Sequence, residues 1–157
     1  MKIEIWPEHG PINSKDIFKK FIKSLQNAGE EVHINKKANA DVAVIWSVLW
    51  MGRMSRYRSI WQEYQNAGKP VVVLEVGGLR RNKSFKIGIN GVNRRADFAN
   101  ADYDGDRWPL FNHTLKPWKQ TGDKIIVLGQ HHNSEQWAGL PDTVSYTHLT
   151  LPTIYSV

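Results

Sequence analysis

Two short stretches of the chain share one grammar. Residues 26–34 read QNAGEEVHI and residues 65–73 read QNAGKPVVV. Each is a helix end, a glycine stop and the start of a strand. Before each lies a segment with helical periodicity. Ile17, Phe18, Phe21, Ile22 and Leu25 share one stripe, and Tyr57, Ile60, Trp61 and Tyr64 share another. Ser14 and Ser55 stand where a side chain caps a helix start. Strands are expected at Lys2–Trp6, Glu31–Asn35, Asp41–Trp46 and Pro70–Val76. The third and fourth are nearly all apolar, as strands covered on both faces are. Alternating strands and helices predict an α/β fold, Rossmann-like, with a mainly parallel sheet.

After Val76 this alternation stops. Phe85–Ile89 is a candidate short strand within a Gly- and Pro-bearing stretch that reaches residue 122. Lys124–Leu128 (KIIVL) reads as a new strand closed by Gly129 and Gln130, opening another βα unit.

The composition narrows the classes. There is no Cys, which removes disulfides and thiolate chemistry. No apolar run approaches the length of a membrane span, and the first residues carry no signal region. A soluble, cytoplasmic protein is the expectation. The net charge of +6 is local: Arg80, Arg81, Lys83, Lys86, Arg94 and Arg95 fall in one acid-free stretch between Glu75 and Asp97, and the other 15 Lys/Arg are matched by 15 Asp/Glu. A local excess points to an anion site rather than to a general nucleic-acid coat.

In open parallel sheets, ligands bind beyond the carboxyl ends of strands. Three loops leave such ends: Pro7–Asn13, Ser47–Met54 and the stretch after Val76. In the first, Glu8 or His9 is the candidate general base, with Gly10 beside it as a ligand-binding residue. In the third, Gly77 and Gly78 let a ligand approach the backbone, and Arg80 and Arg81 suit phosphate or carboxylate. Asn90, Arg94 and Arg95, around Gly88 and Gly91, form a second donor-rich turn. Gly129 and Gln130 extend the anion-binding set. Arg80 and Arg81 are expected on the same sheet edge as Glu8 and His9.

Several motifs fail their tests. No phosphate-binding P-loop and no dinucleotide fingerprint is present. The adjacent His131 and His132 are poorly placed to chelate one metal, and Asp102, Asp104 and Asp106 lack calcium-loop spacing. No metal site is expected. Trp46, Trp50 and Trp61 read as core, whereas Trp108, Trp118 and Trp137 could line a cleft.

Residues 70–137 resemble a family. The E-V-G-G turn, the G-I-N-G turn, D-R-W, L-K-P-W and the I-I-V-L-G-Q strand are similar to glycosyltransferase-like proteins of phages and bacteria. These are related to capsule-polysaccharide and Kdo-type transferases of the two-domain GT-B architecture. The resemblance implies that residues 1–120 form an acceptor-side Rossmann-like domain. Residues 121–142 would begin a truncated second domain, whose missing part would hold a nucleotide-sugar donor. The implied partners are a nucleotide sugar and a glycan acceptor, with no cofactor in the fragment itself. Residues 143–157 carry no Lys, Arg, Asp or Glu. Their VSYTHLTLPT resembles a translated sequencing-adapter tail of metagenomic assemblies. On this reading residues 1–142 alone transfer nothing. Two alternatives remain open: a phage-encoded nucleic-acid-binding protein using the basic segment 79–95, and a nucleotide- or phosphate-binding α/β domain without catalysis.

Overall fold

The structure is a computed structural model that describes residues 1–78, 84–97 and 108–117, without the side chain of Arg94. The chain divides into two compact units, Met1–Ala99 and Asn100–Val157.

The first unit is α/β. Its order is β1 (Lys2–Ile5), α1 (Lys15–Asn27), β2 (Glu31–Ile34), β3 (Val42–Trp46), α2 (Ser55–Asn66), β4 (Val71–Val76) and β5 (Phe85–Ile89). The five strands form one sheet in the order β2-β1-β3-β4-β5. β1 to β4 are parallel, and β5 returns antiparallel to β4 at the edge. Every expected strand of this unit is present, to within a residue at each end. Both glycine stops adopt left-handed backbone, with φ of 79° at Gly29 and 66° at Gly68.

Register shows how the layers form. Glu4 pairs with Ala43, whereas Ile3 and Ile5 pair with Val42 and Val44. Glu4 and Ala43 therefore face one side, and Ile3, Ile5, Val42, Val44 and Trp46 the other. Phe18 of α1 packs against Trp46, with ring centroids 6.1 Å apart. Tyr64 of α2 lies on the Glu4 side, where the two line one cavity. The two helices thus cover opposite faces. β3 is buried along its whole length and Val71, Val73 and Leu74 of β4 are also buried, as the apolar runs predict.

The helix starts differ from expectation. Ser14 precedes α1, but its hydroxyl donates to the Pro11 carbonyl at 2.7 Å instead of capping the helix. Ser55 is the first residue of α2, and neither helix has a side-chain N-cap. Short 3₁₀ turns, Ile12–Ser14 and Gly52–Met54, lead into both helices.

No helix connects β2 to β3. The crossing segment, Asn35–Asp41, is anchored by Glu4, which is only 3% exposed. Its Oε1 accepts from the backbone N–H of Ala38 at 2.5 Å and of Ala40 at 3.4 Å. Among the described residues no helix is long and apolar enough to cross a membrane. In the second unit the described residues hold one 3₁₀ turn, Pro109–Phe111, with Trp108 and His113 in ring contact at 6.2 Å. The expected βα unit of 121–142 and the tail of 143–157 lie outside the described residues.

Candidate functional site

β1 leads to α1 and β2 on one side of itself, and the chain then crosses back to β3 on the other side. The carboxyl ends of β1 and β3 are therefore the point where the winding reverses, the ordinary place for a ligand in an open parallel sheet. The loop after β1 carries Glu8 and His9 there.

Their position is fixed from below. The Tyr57 hydroxyl, on α2, donates to the Trp6 carbonyl at 2.6 Å. Tyr57 is fully buried, and burial holds its phenol well above the ordinary value of 10.0. Pro7–His9 then forms one 3₁₀ turn, closed by Gly10 N–H donating to the Pro7 carbonyl at 3.1 Å. Gly10 is needed for close packing: a Cβ there would collide with Ser14 Oγ and lie 3.2 Å from the Tyr57 hydroxyl. Gly10 is therefore a packing residue of the loop base.

The His9 ring lies parallel to Trp6, with centroids 6.3 Å apart, and meets the Tyr57 ring edge-on at 5.7 Å. Its Nε2 is 3.2 Å from Glu8 Oε1. The imidazole is about one-fifth exposed, so it sits in an aromatic corner with an opening to solvent. A cleft of about 320 Å³ opens beside it, lined by Trp6, Glu8, His9, Lys37, Arg56 and Glu63 among others. Lys37 and Glu63 form an exposed ion pair at 2.6 Å across its rim. Arg56 has no carboxylate within ion-pair distance among the described residues.

Two buried indole donors, Trp6 Nε1 and Trp50 Nε1, have no hydrogen-bond acceptor among the described residues. Trp6 directly follows β1, and Trp50 lies in the loop after β3. Buried polar groups are rarely left unpaired, so each of these N–H groups calls for an acceptor such as a water or a ligand.

The other expected site residues separate into three groups. Gly77 and Gly78 follow β4 on the same carboxyl edge as Glu8 and His9. Gly77 closes the β4–β5 hairpin, its N–H donating to the Ser84 carbonyl at 3.1 Å. A Cβ at Gly77 would collide with Ser84, so the small residue there serves strand packing. Asn90 is at the opposite edge. Its backbone N–H donates to the Val71 carbonyl at 2.7 Å, at the amino end of β4. Its side-chain oxygen accepts from Gln65 at 2.8 Å and Val71 N–H at 2.9 Å, and its amide donates to Asp97. Those groups are committed to joining α2, β4 and the turn, so Asn90 is structural. Arg94 and Arg95 follow in the same turn, away from Glu8 and His9 along the strands. Arg80, Arg81, Gly129 and Gln130 lie outside the described residues.

The sequence reading passed over Arg56, Lys37 and Glu63. Arg56 stands one turn before Ile60 on α2, and Lys37 lies in a connection with no regular structure. Neither position carries a pattern that marks it. Among the described residues no group of three or more His, Asp or Glu could hold a metal ion. No family model, curated protein or solved structure matches the chain.

Proposed function

We propose that the chain is the acceptor-side part of a nucleotide-sugar glycosyltransferase of GT-B type, with His9 as general base oriented by Glu8. The observation that carries this reading is the Glu8–His9 pair, 3.2 Å apart, at the carboxyl ends of strands where the sheet winding reverses. Trp6, whose indole N–H has no acceptor among the described residues, lines the same cleft and supports a ligand there.

The chemistry follows from the pair. A carboxylate at Nε2 favours the tautomer with its proton on that nitrogen, which leaves Nδ1 to accept. An acceptor hydroxyl gives its proton to Nδ1 as its oxygen bonds the anomeric carbon of the donor sugar. The bond from that carbon to the diphosphate breaks, and the diphosphate departs with the electron pair. Glu8 then stabilises the imidazolium. Arg56 supplies positive charge beside the reacting groups.

The test uses the product of the uninterrupted gene with a panel of nucleotide sugars and oligosaccharide acceptors. Sugar transfer is expected, and His9→Gln should slow turnover by about 10²–10⁴-fold with acceptor affinity retained. Transfer undiminished in His9→Gln would refute the role of the imidazole. Absence of transfer with every donor, together with nucleic-acid binding that falls steeply with salt, would favour the nucleic-acid reading instead.

A further inference from the structure

We infer that the groove between α1 and the edge strand β2 takes an acidic, extended peptide segment of a partner protein, which adds as a strand to β2. The groove lies outside the cleft of Glu8 and His9. Its volume is about 630 Å³, and it is lined by Lys15, Lys19, Lys23, Ile22, Ile34 and Pro7 among others.

Three independent features agree on the occupant. The first is charge. Lys15, Lys19 and Lys23 recur every four residues, so they form one row along α1 with about 6 Å between successive positions. Among the described residues no carboxylate lies within ion-pair distance of any of them. Glu31 of β2 pairs with Lys2, which places it on the face opposite the groove.

The second is the backbone. Among the described residues β2 is the last strand of the sheet. Glu31 N–H donates to the Met1 carbonyl and Asn35 N–H to the Ile5 carbonyl, so the odd-numbered residues bond inward to β1. By alternation the N–H and C=O groups of Val32 and Ile34 point outward, where an added strand would meet them. The third is the floor. Ile34 is 46% exposed and lies beside Ile22, giving apolar contact for alternate side chains.

An extended strand repeats its same-face side chains every two residues, about 6.6 Å apart. Carboxylates at that repeat match the lysine row nearly one for one. Strand addition supplies backbone hydrogen bonds, and the lysines select an acidic sequence.

The experiment uses the full chain and a fluorescein-labelled peptide of alternating Glu and Val. Saturable binding is expected, weakening as salt rises, with slowed hydrogen exchange at the Val32 and Ile34 amides. Each Lys→Gln change at 15, 19 or 23 should weaken binding by about two- to fivefold, as exposed charge pairs do. These lysines are surface residues, so the variants should keep the parent's thermal midpoint. The same peptide with N-methyl groups on alternate residues should bind poorly. Unaltered affinity in the triple Lys→Gln variant would overturn the proposal, as would equal binding of the N-methylated peptide. Tighter binding of an acidic polysaccharide such as polygalacturonate, without protection of Val32 and Ile34, would also overturn it.

Discussion

Tyr57→Phe tests how the loop carrying Glu8 and His9 is held. The substitution removes one oxygen and keeps the ring. The lost bond is the 2.6 Å donation to the Trp6 carbonyl, made from a fully buried side chain. Losing one partner of a buried hydrogen bond costs about 1–3 kcal/mol. For a unit of about 100 residues, 1 kcal/mol moves the thermal midpoint by roughly 4–8 °C. The midpoint at pH 7 should therefore fall by about 4–24 °C, with His9 still in its aromatic corner. A second signature appears in alkali. Burial raises the folded-state pKa of Tyr57 above the ordinary 10.0, and Tyr64 is raised too, by burial and then by Glu4. Below pH 10 both phenols are neutral in folded and unfolded chains, and their contribution is complete. Above pH 10 the unfolded chain loses these protons first, so stability falls as pH rises, by up to about 1.4 kcal/mol per pH unit for each phenol. Tyr57→Phe removes one of the two and should make that alkaline decline shallower. Urea unfolding from pH 7 to pH 11.5 reads both effects. An unchanged stability at pH 7 with an unchanged alkaline slope would refute this account of the loop.

Two further substitutions separate structural from ligand roles. Gly77→Ala puts a Cβ against Ser84 and should cost about 1–3 kcal/mol in urea unfolding; a neutral result would return Gly77 to the ligand-loop reading. Asn90→Ala removes three side-chain hydrogen bonds at a residue with φ of 58° and should cost at least about 2 kcal/mol by the same measurement.

The parallel sheet was legible because its signals are local. A helical stripe, a glycine stop and an apolar run follow one another twice, and each maps directly to an element. Glu8 and His9 were singled out by position alone, as the first polar residues beyond the first strand. Residues whose role depends on distant partners were not legible. Glu4 reads as the polar member of an alternating strand, yet it is buried because the crossing segment, over thirty residues away, brings two N–H groups to it. Asn90 sits in a glycine-flanked, basic stretch that suggests a ligand turn. Its location depends on the reversal of β5, which carries it to the opposite edge from His9. No local pattern states that the strand after Gly77 runs backwards. The helix caps misled for a related reason: a 3₁₀ turn leads into each helix, absorbing Ser14 before α1 and leaving Ser55 inside the first turn of α2.

The central claim is that a sugar acceptor binds over the carboxyl ends of β1 and β3. It is tested most directly by nuclear magnetic resonance of ¹⁵N-labelled protein titrated with methyl glycosides and short oligosaccharides. At least one should give saturable shifts centred on the Trp6 indole N–H, the His9 ring and Arg56. Shifts confined to the turn of Asn90 to Asp97, or no saturable shift at Trp6 and His9 with any saccharide, would contradict it.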